Sequence, residues 1–139
     1  MVRIVLDTNV VISALIWGGT PYKLIEAAAD GDLVLCTSPA LLDELRAVLT
    51  RKHLASRLQR LNSSVDQAIA LYSALAINVS PAEAPAVVPG DPDDDHVIAA
   101  AVAAAADLLV SGDGHLLAIG QHLNIHIVTP AEAVARIGR

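Results

Sequence analysis

Four carboxylates stand where the chain passes between strand and helix. Asp7 directly follows the apolar run RIVL, and Asp113 comes three residues after Val110, at the end of the run LLV. Asp94 lies in the acidic stretch DPDDD that opens an alanine-rich helix, and Glu44 falls in the second turn of a helix that begins at Ser38-Pro39. In open parallel α/β sheets, ligands bind beyond the carboxyl ends of the strands, where the strand order switches direction. Carboxylates brought together there would raise one another's pKa values and take up protons. A divalent cation removes that conflict, and hard oxygen donors select Mg²⁺ or Mn²⁺. Such an ion activates water and stabilises charge on a phosphodiester in transit. Phosphodiester hydrolysis is therefore the chemistry this set of residues suits.

Each acid also has a plain structural explanation. Asp7 and Asp113 can each cap the helix that follows, Glu44 can be an ordinary exposed helical residue, and acids are favoured at a helix N-terminus such as DPDDD. The functional reading rests on the coincidence of all four in topologically matched places. Within DPDDD, Asp94 shares a helix face with Ile98 and Ala101, four and seven residues on, so it points toward the core side. Asp95 is turned away by about 100°, and Asp91 is a further acid at the edge of the group.

The elements that must position these residues alternate. Residues 3–6 read as a strand, 9–16 as a helix start capped at Thr8 or Asn9, and Trp17-Gly18-Gly19 as a break. Thr20-Pro21 reads as N-cap and first residue of a second helix, ended by Gly31. Residues 33–37 form the next strand. Helices follow from Ser38-Pro39, from Arg51 and from an Asn62 or Ser63 cap, and a short strand covers 76–79. The segment 80–93 holds Pro81, Pro85, Pro89, Gly90 and Pro92 and reads as a long loop. An alanine-rich helix, a strand over 108–110, a short helix, a strand over 125–128 and a helix opened by Thr129-Pro130 complete the chain. Strands alternating with helices predict a three-layer α/β/α fold with a central, mostly parallel sheet of about five strands. No linker or repeat divides residues 1–139, which predicts a single domain.

Composition narrows the class. The chain is 54% hydrophobic with no Phe, so its core must be built from Leu, Val, Ile and Ala. The lone Cys36 can form neither an internal disulfide nor a zinc cluster, and it sits in an apolar run as a core thiol. No signal peptide is evident and no apolar run reaches the roughly 20 residues of a membrane span, so the expected setting is cytoplasmic. A net charge of −6 argues against a protein that coats nucleic acid by bulk charge, but not against a nuclease with an acidic site. Five of nine basic residues, Arg46, Arg51, Lys52, Arg57 and Arg60, cluster in one helical region and suit RNA phosphates, although a solvated helix face explains them as well. Aromatic residues are few. Trp17 and Tyr22, near the first acid, read better as packing or dimer contacts than as base-stacking platforms, and the apolar content favours a homodimer. The five histidines form no zinc motif, although His96 and His115 fall near the acids.

The motifs carry a family resemblance along nearly the whole chain. IVLDTNVVISALI resembles the first motif of the PIN-domain nucleases, TSPALLDELRAVL the second, and DPDDDHVIAAAVAAAADLLVSGDGHLL the third and fourth. The resemblance implies a PIN-like fold and a ribonuclease that uses Mg²⁺ or Mn²⁺. By motif match, Asp7 and Asp94 are the principal metal ligands, and Glu44 and Asp113 complete the site directly or through water. Thr8 and Asn9 position Asp7 or a water, and Ser111 orients the last acid. The motifs are similar to those of VapC-type toxins of toxin–antitoxin pairs, which implies a homodimer whose site is covered by a cognate antitoxin. The alternative is a PIN-like module that binds RNA or protein without catalysis. An aspartyl phosphatase is disfavoured by Asn9 where a second Asp is needed, and a phosphoacceptor receiver domain by the absence of any Lys after Lys52.

Overall fold

The strands are short, and they are buried on both faces, which is the condition of a parallel sheet covered by helices. Along β1 (Arg3–Leu6), Ile4 and Leu6 enter one core cluster while Val5 enters another. The same alternation recurs in β4 (Leu108–Val110), where Leu108 and Val110 face one way and Leu109 the other. This computed structural model describes residues 1–81 and 92–139, with side chains described from residue 95 onward in the second stretch. Most of the loop expected over 80–93, all of Asp91 and the side chain of Asp94 lie outside the described residues.

After β1 come α1 (Thr8–Ile12), which runs on through a π-helical turn (Ser13–Trp17), then α2 (Gly19–Ala29), β2 (Val34–Thr37), α3 (Pro39–Leu49), α4 (Lys52–Arg60), α5 (Val65–Leu75) and β3 (Ala76–Asn78). The chain then passes through α6 (Pro92–Ala103), β4, α7 (Gly114–Ile119), β5 (Gln121–His122), β6 (Ile125–Val128) and α8 (Pro130–Arg136). The sheet has six strands in the order β3-β2-β1-β4-β6-β5, all parallel except the β5–β6 pair. The mostly parallel α/β sheet is as expected. The sixth strand, β5, is an addition: two polar residues carry no apolar alternation by which a strand is recognised.

One core cluster packs the sheet against α1, α2, α5 and α8, through residues such as Val10, Leu24, Tyr72 and Ala133. The other packs it against α6 and α7, where Val97, Ile98, Ala100 and Ala101 of α6, with Ala104 just beyond it, join Val5, Cys36 and Leu109. Small alanines let α6 lie close on β1, β2 and β4.

Several helix starts differ from the expected ones. Asp7, rather than Thr8 or Asn9, caps α1. Helix α2 begins at Gly19 rather than Pro21, because Gly18 and Gly19 have φ of 73° and 65° and turn the chain before Thr20 is reached. Pro21 still falls in the first turn, where no intrahelical N–H is required. Helix α5 is capped by Ser64, whose Oγ accepts the Gln67 N–H at 3.1 Å. Asn62 instead adopts φ 58°, a left-handed residue just past the end of α4.

Burial pushes the Cys36 thiol up, an effect partly offset by Arg3, and it pushes the Tyr72 phenol well above its ordinary value, with Cys36 adding to the rise. Both groups hold their protons more tightly in the folded state, so their contribution is complete below the unfolded values and is lost as pH rises beyond them. Stability should therefore fall above pH 9.0 for Cys36 and further above pH 10.0 for Tyr72. The Tyr72 hydroxyl is buried with no hydrogen-bond partner among the described residues. Tyr72→Phe should leave urea stability at pH 7 unchanged or raise it by about 1–3 kcal/mol, and should flatten the decline above pH 10.0.

Candidate active site

The chain builds the sheet outward from β1 in both directions: β2 and β3 are laid on one side, β4, β6 and β5 on the other. The switch point therefore lies between β1 and β4, and both strands end there in candidate residues. The Asp7 N–H donates to the Val110 carbonyl at 2.9 Å, carrying the β1–β4 pairing one residue past Leu6. The Ser111 N–H donates to the Val128 carbonyl at 3.0 Å, which ties the end of β4 to β6.

From this frame the side chains form one hydrogen-bonded group. Asp7 is 9% exposed. Its Oδ1 accepts the Thr8 N–H at 2.8 Å, which caps α1, and its Oδ2 accepts the Ser111 hydroxyl at 2.8 Å. The same Ser111 Oγ accepts the Asp113 N–H at 3.0 Å. Asp113 Oδ1 in turn accepts the His115 N–H at 2.8 Å and caps α7. Asp7 and Asp113 are thus brought together through one buried hydroxyl. The helix-capping explanation holds for both acids, and each carboxylate uses only one oxygen for its helix.

Glu44 stands on α3, and none of Asp7, Ser111 and Asp113 lines its cleft. It lines a cleft of about 660 Å³ with Asn9, Ala40, Asp43, Ala47, Val48, Arg51 and His96. The cleft joins the helix capped by Asp7, the second-motif helix and the start of α6. Asp43 is a carboxylate here that the sequence reading passed over; the adjacent Asp-Glu pair in LLDEL was its only signal. Asp95 is half-buried. Ile98 and Ala101, the positions expected to share the face of Asp94, are buried. The other histidine near the acids, His115, has an exposed side chain with Nδ1 3.8 Å from Asp113 Oδ1.

The basic residues divide. Arg46 is paired with Asp66 at 2.7 Å, linking α3 to α5. Arg51 lines the cleft, Lys52 and Arg60 are exposed, and the Arg57 guanidinium lies over the Trp17 ring, 4.9 Å from its centroid. A second cleft, at the amino ends of the strands, is lined by Asp32, Asp107, His126 and Arg136 among others. Its acids already have structural work: Asp107 accepts the Arg3 N–H at 2.8 Å, and Asp32 pairs with Arg139.

The PIN domain family matches residues 3–115, which hold every candidate acid. The chain belongs to the PIN domain family. No curated protein matches it. PIN domains are generally nucleases and typically use divalent metals. Among the described residues, no three His, Cys, Asp or Glu side chains are grouped closely enough to hold an ion by themselves. The donor chemistry of the PIN site nevertheless fits a hard cation. Its groups are carboxylate and hydroxyl oxygens, and Thr8 Oγ1, next to Asp7 in a residue only 3% exposed, is buried with no hydrogen-bond partner among the described residues.

Ser111 gives this arrangement a direct test. Ser111→Ala leaves Asp7 Oδ2 and the Asp113 N–H each short of one hydrogen bond, and should cost about 1–3 kcal/mol in guanidinium unfolding. Ser111→Thr, which keeps the hydroxyl, should recover part of that loss.

Proposed function

We propose that this PIN domain is a metal-dependent ribonuclease that hydrolyses phosphodiester bonds of single-stranded or structured RNA. The observation that carries the proposal is the Asp7–Ser111–Asp113 group at the β1–β4 switch point, beside a cleft walled by Asn9 and Glu44. Asp7 and Asp94 would hold Mg²⁺ or Mn²⁺, with Glu44 and Asp113 completing the acidic set directly or through water. When bound, such an ion lowers the pKa of a water and stabilises charge on the phosphoryl oxygens. The chain's own residues do the positioning. Ser111 fixes one oxygen of Asp7, the Thr8 N–H fixes the other, and Arg51 gives the cleft a cation for the RNA backbone.

The motifs also support a toxin role in a VapC-like toxin–antitoxin pair, with a homodimer and a cognate antitoxin over the site. A neighbouring gene for a small basic DNA-binding protein, and sedimentation at dimer mass, are the observations that would bear on it. No helix among the described residues is long and apolar enough to cross a membrane.

The deciding experiment is cleavage of a labelled single-stranded RNA in EDTA, Mg²⁺ or Mn²⁺. Wild-type protein should cut only with metal, and Asp7→Asn or Asp94→Asn should slow cutting by at least about 10²–10³-fold, the usual cost of one transition-state charge contact. Retained cutting by Asp94→Asn would move that role to Asp95 or Asp91. A folded protein that neither cuts nor gains thermal stability with Mg²⁺ or Mn²⁺ would instead be a silent binding module. If the assignment holds, Ser111→Ala should lower divalent affinity about 10–100-fold, as loss of a supporting hydrogen bond does.

A further inference from the structure

Trp17 is the only tryptophan in the chain and is 62% exposed. A large apolar ring left in water is costly unless something covers it. Its position is fixed rather than incidental. It is the last residue of the helical run that starts at the Asp7 cap, and the positive-φ pair Gly18-Gly19 turns the chain immediately after it. The Arg57 guanidinium lies over one face, 4.9 Å from the ring centroid. Arg57 Nε is buried without a hydrogen-bond partner, and among the described residues no carboxylate pairs with Arg57. Among the described residues, the guanidinium therefore has the ring and no acid as its neighbour.

The surroundings decide what fits the other face. Residues 51–64 contain Arg51, Lys52, Arg57 and Arg60 and no Asp or Glu, in a chain whose net charge is −6. Helix α4 carries this charge from the cleft, where Arg51 stands with Glu44 and Asn9, to Arg57. Six residues of helix advance about 9 Å. A polyanion with planar groups, laid from the cleft along α4, meets cations and then an aromatic face.

We propose that Trp17, backed by Arg57, is a base-stacking platform for single-stranded RNA flanking the bond presented to the acidic cleft, with Arg51, Lys52 and Arg60 contacting its phosphates. This deepens the ribonuclease reading and rests on it. Stacking on an aromatic face accepts any base, so the platform would secure the strand without choosing its sequence.

The single tryptophan supplies its own probe. Wild-type protein in EDTA, where no cutting is expected, is titrated at low salt with fluorescein-labelled oligoadenylate, and separately with its duplex with oligouridylate. Tryptophan emission and fluorescein anisotropy are read on the same samples. The single strand should quench Trp17 saturably, in step with the anisotropy, and the duplex should quench it little. Trp17→Leu should weaken single-strand binding by about 5- to 150-fold, the effect of one lost stacking contact. Arg60→Gln should keep the quench and lower the salt slope by about 0.7. Because the quench is read on wild-type protein, the outcome does not depend on how a variant folds. A rise in anisotropy with unchanged tryptophan emission would place the RNA elsewhere and overturn the platform while leaving the nuclease intact. Emission that is blue-shifted before RNA is added, and shifts red on dilution to monomer, would show that a second copy covers the ring and would also overturn it. Absence of both binding and metal-dependent cutting would remove the ribonuclease reading itself.

Discussion

Everything at the carboxyl edge of this sheet depends on one buried hydroxyl. Ser111 Oγ donates to Asp7 and accepts from the Asp113 backbone, so the last residues of β1 and β4 are held in one geometry. Two carboxylates near each other repel, and a flexible arrangement would let them swing apart. A serine whose oxygen serves as donor and acceptor at once binds one acid by its side chain and the other by its backbone. Asp113 thereby keeps its carboxylate for the α7 N-terminus and whatever else approaches. The hydroxyl is itself fixed from below, because the Ser111 N–H is engaged by Val128 of β6. The PIN match ends at residue 115, yet β6 lies beyond it, so residues past the family region help brace the site.

The core sets how the strands behind this edge are packed. β1, β2 and β4 are short, but each is buried on both faces, and their neighbours differ in texture. One face meets bulky Leu, Ile and Tyr72, and the other meets the alanines of α6. The close approach of α6 brings His96, in its first half, into the cleft with Asn9 and Glu44.

Much of this was legible because apolar runs and their punctuation report local structure directly. The strands over 108–110 and 125–128 were read to the residue, and the Ser38-Pro39 and Thr129-Pro130 helix starts follow from cap chemistry. What escaped the reading depends on competition between neighbouring residues. Ser64 took the cap of α5 because Asn62 was occupied in ending α4, and two adjacent glycines moved the start of α2 ahead of Thr20-Pro21. The motif resemblance already tied Ser111 to Asp113, but the bond from Ser111 to Asp7 is a contact across the sheet that no local pattern encodes. The part of Asp43 in the cleft had only its adjacency to Glu44 as a signal, because a helical sequence does not fix which of two neighbouring acids lines a cleft.

The Ser111–Asp7 hydrogen bond joins residues 104 positions apart in sequence. Contacts of such separation form late, after the loop-closure entropy of the intervening chain has been overcome. On a ribosome the first acid emerges with its strand and helix long before β4 exists to pair with it. The Asp7–Ser111–Asp113 hydrogen-bonded group is therefore absent from the nascent chain until β4 has been made. The geometry of this edge is thus among the last features of the chain to be completed.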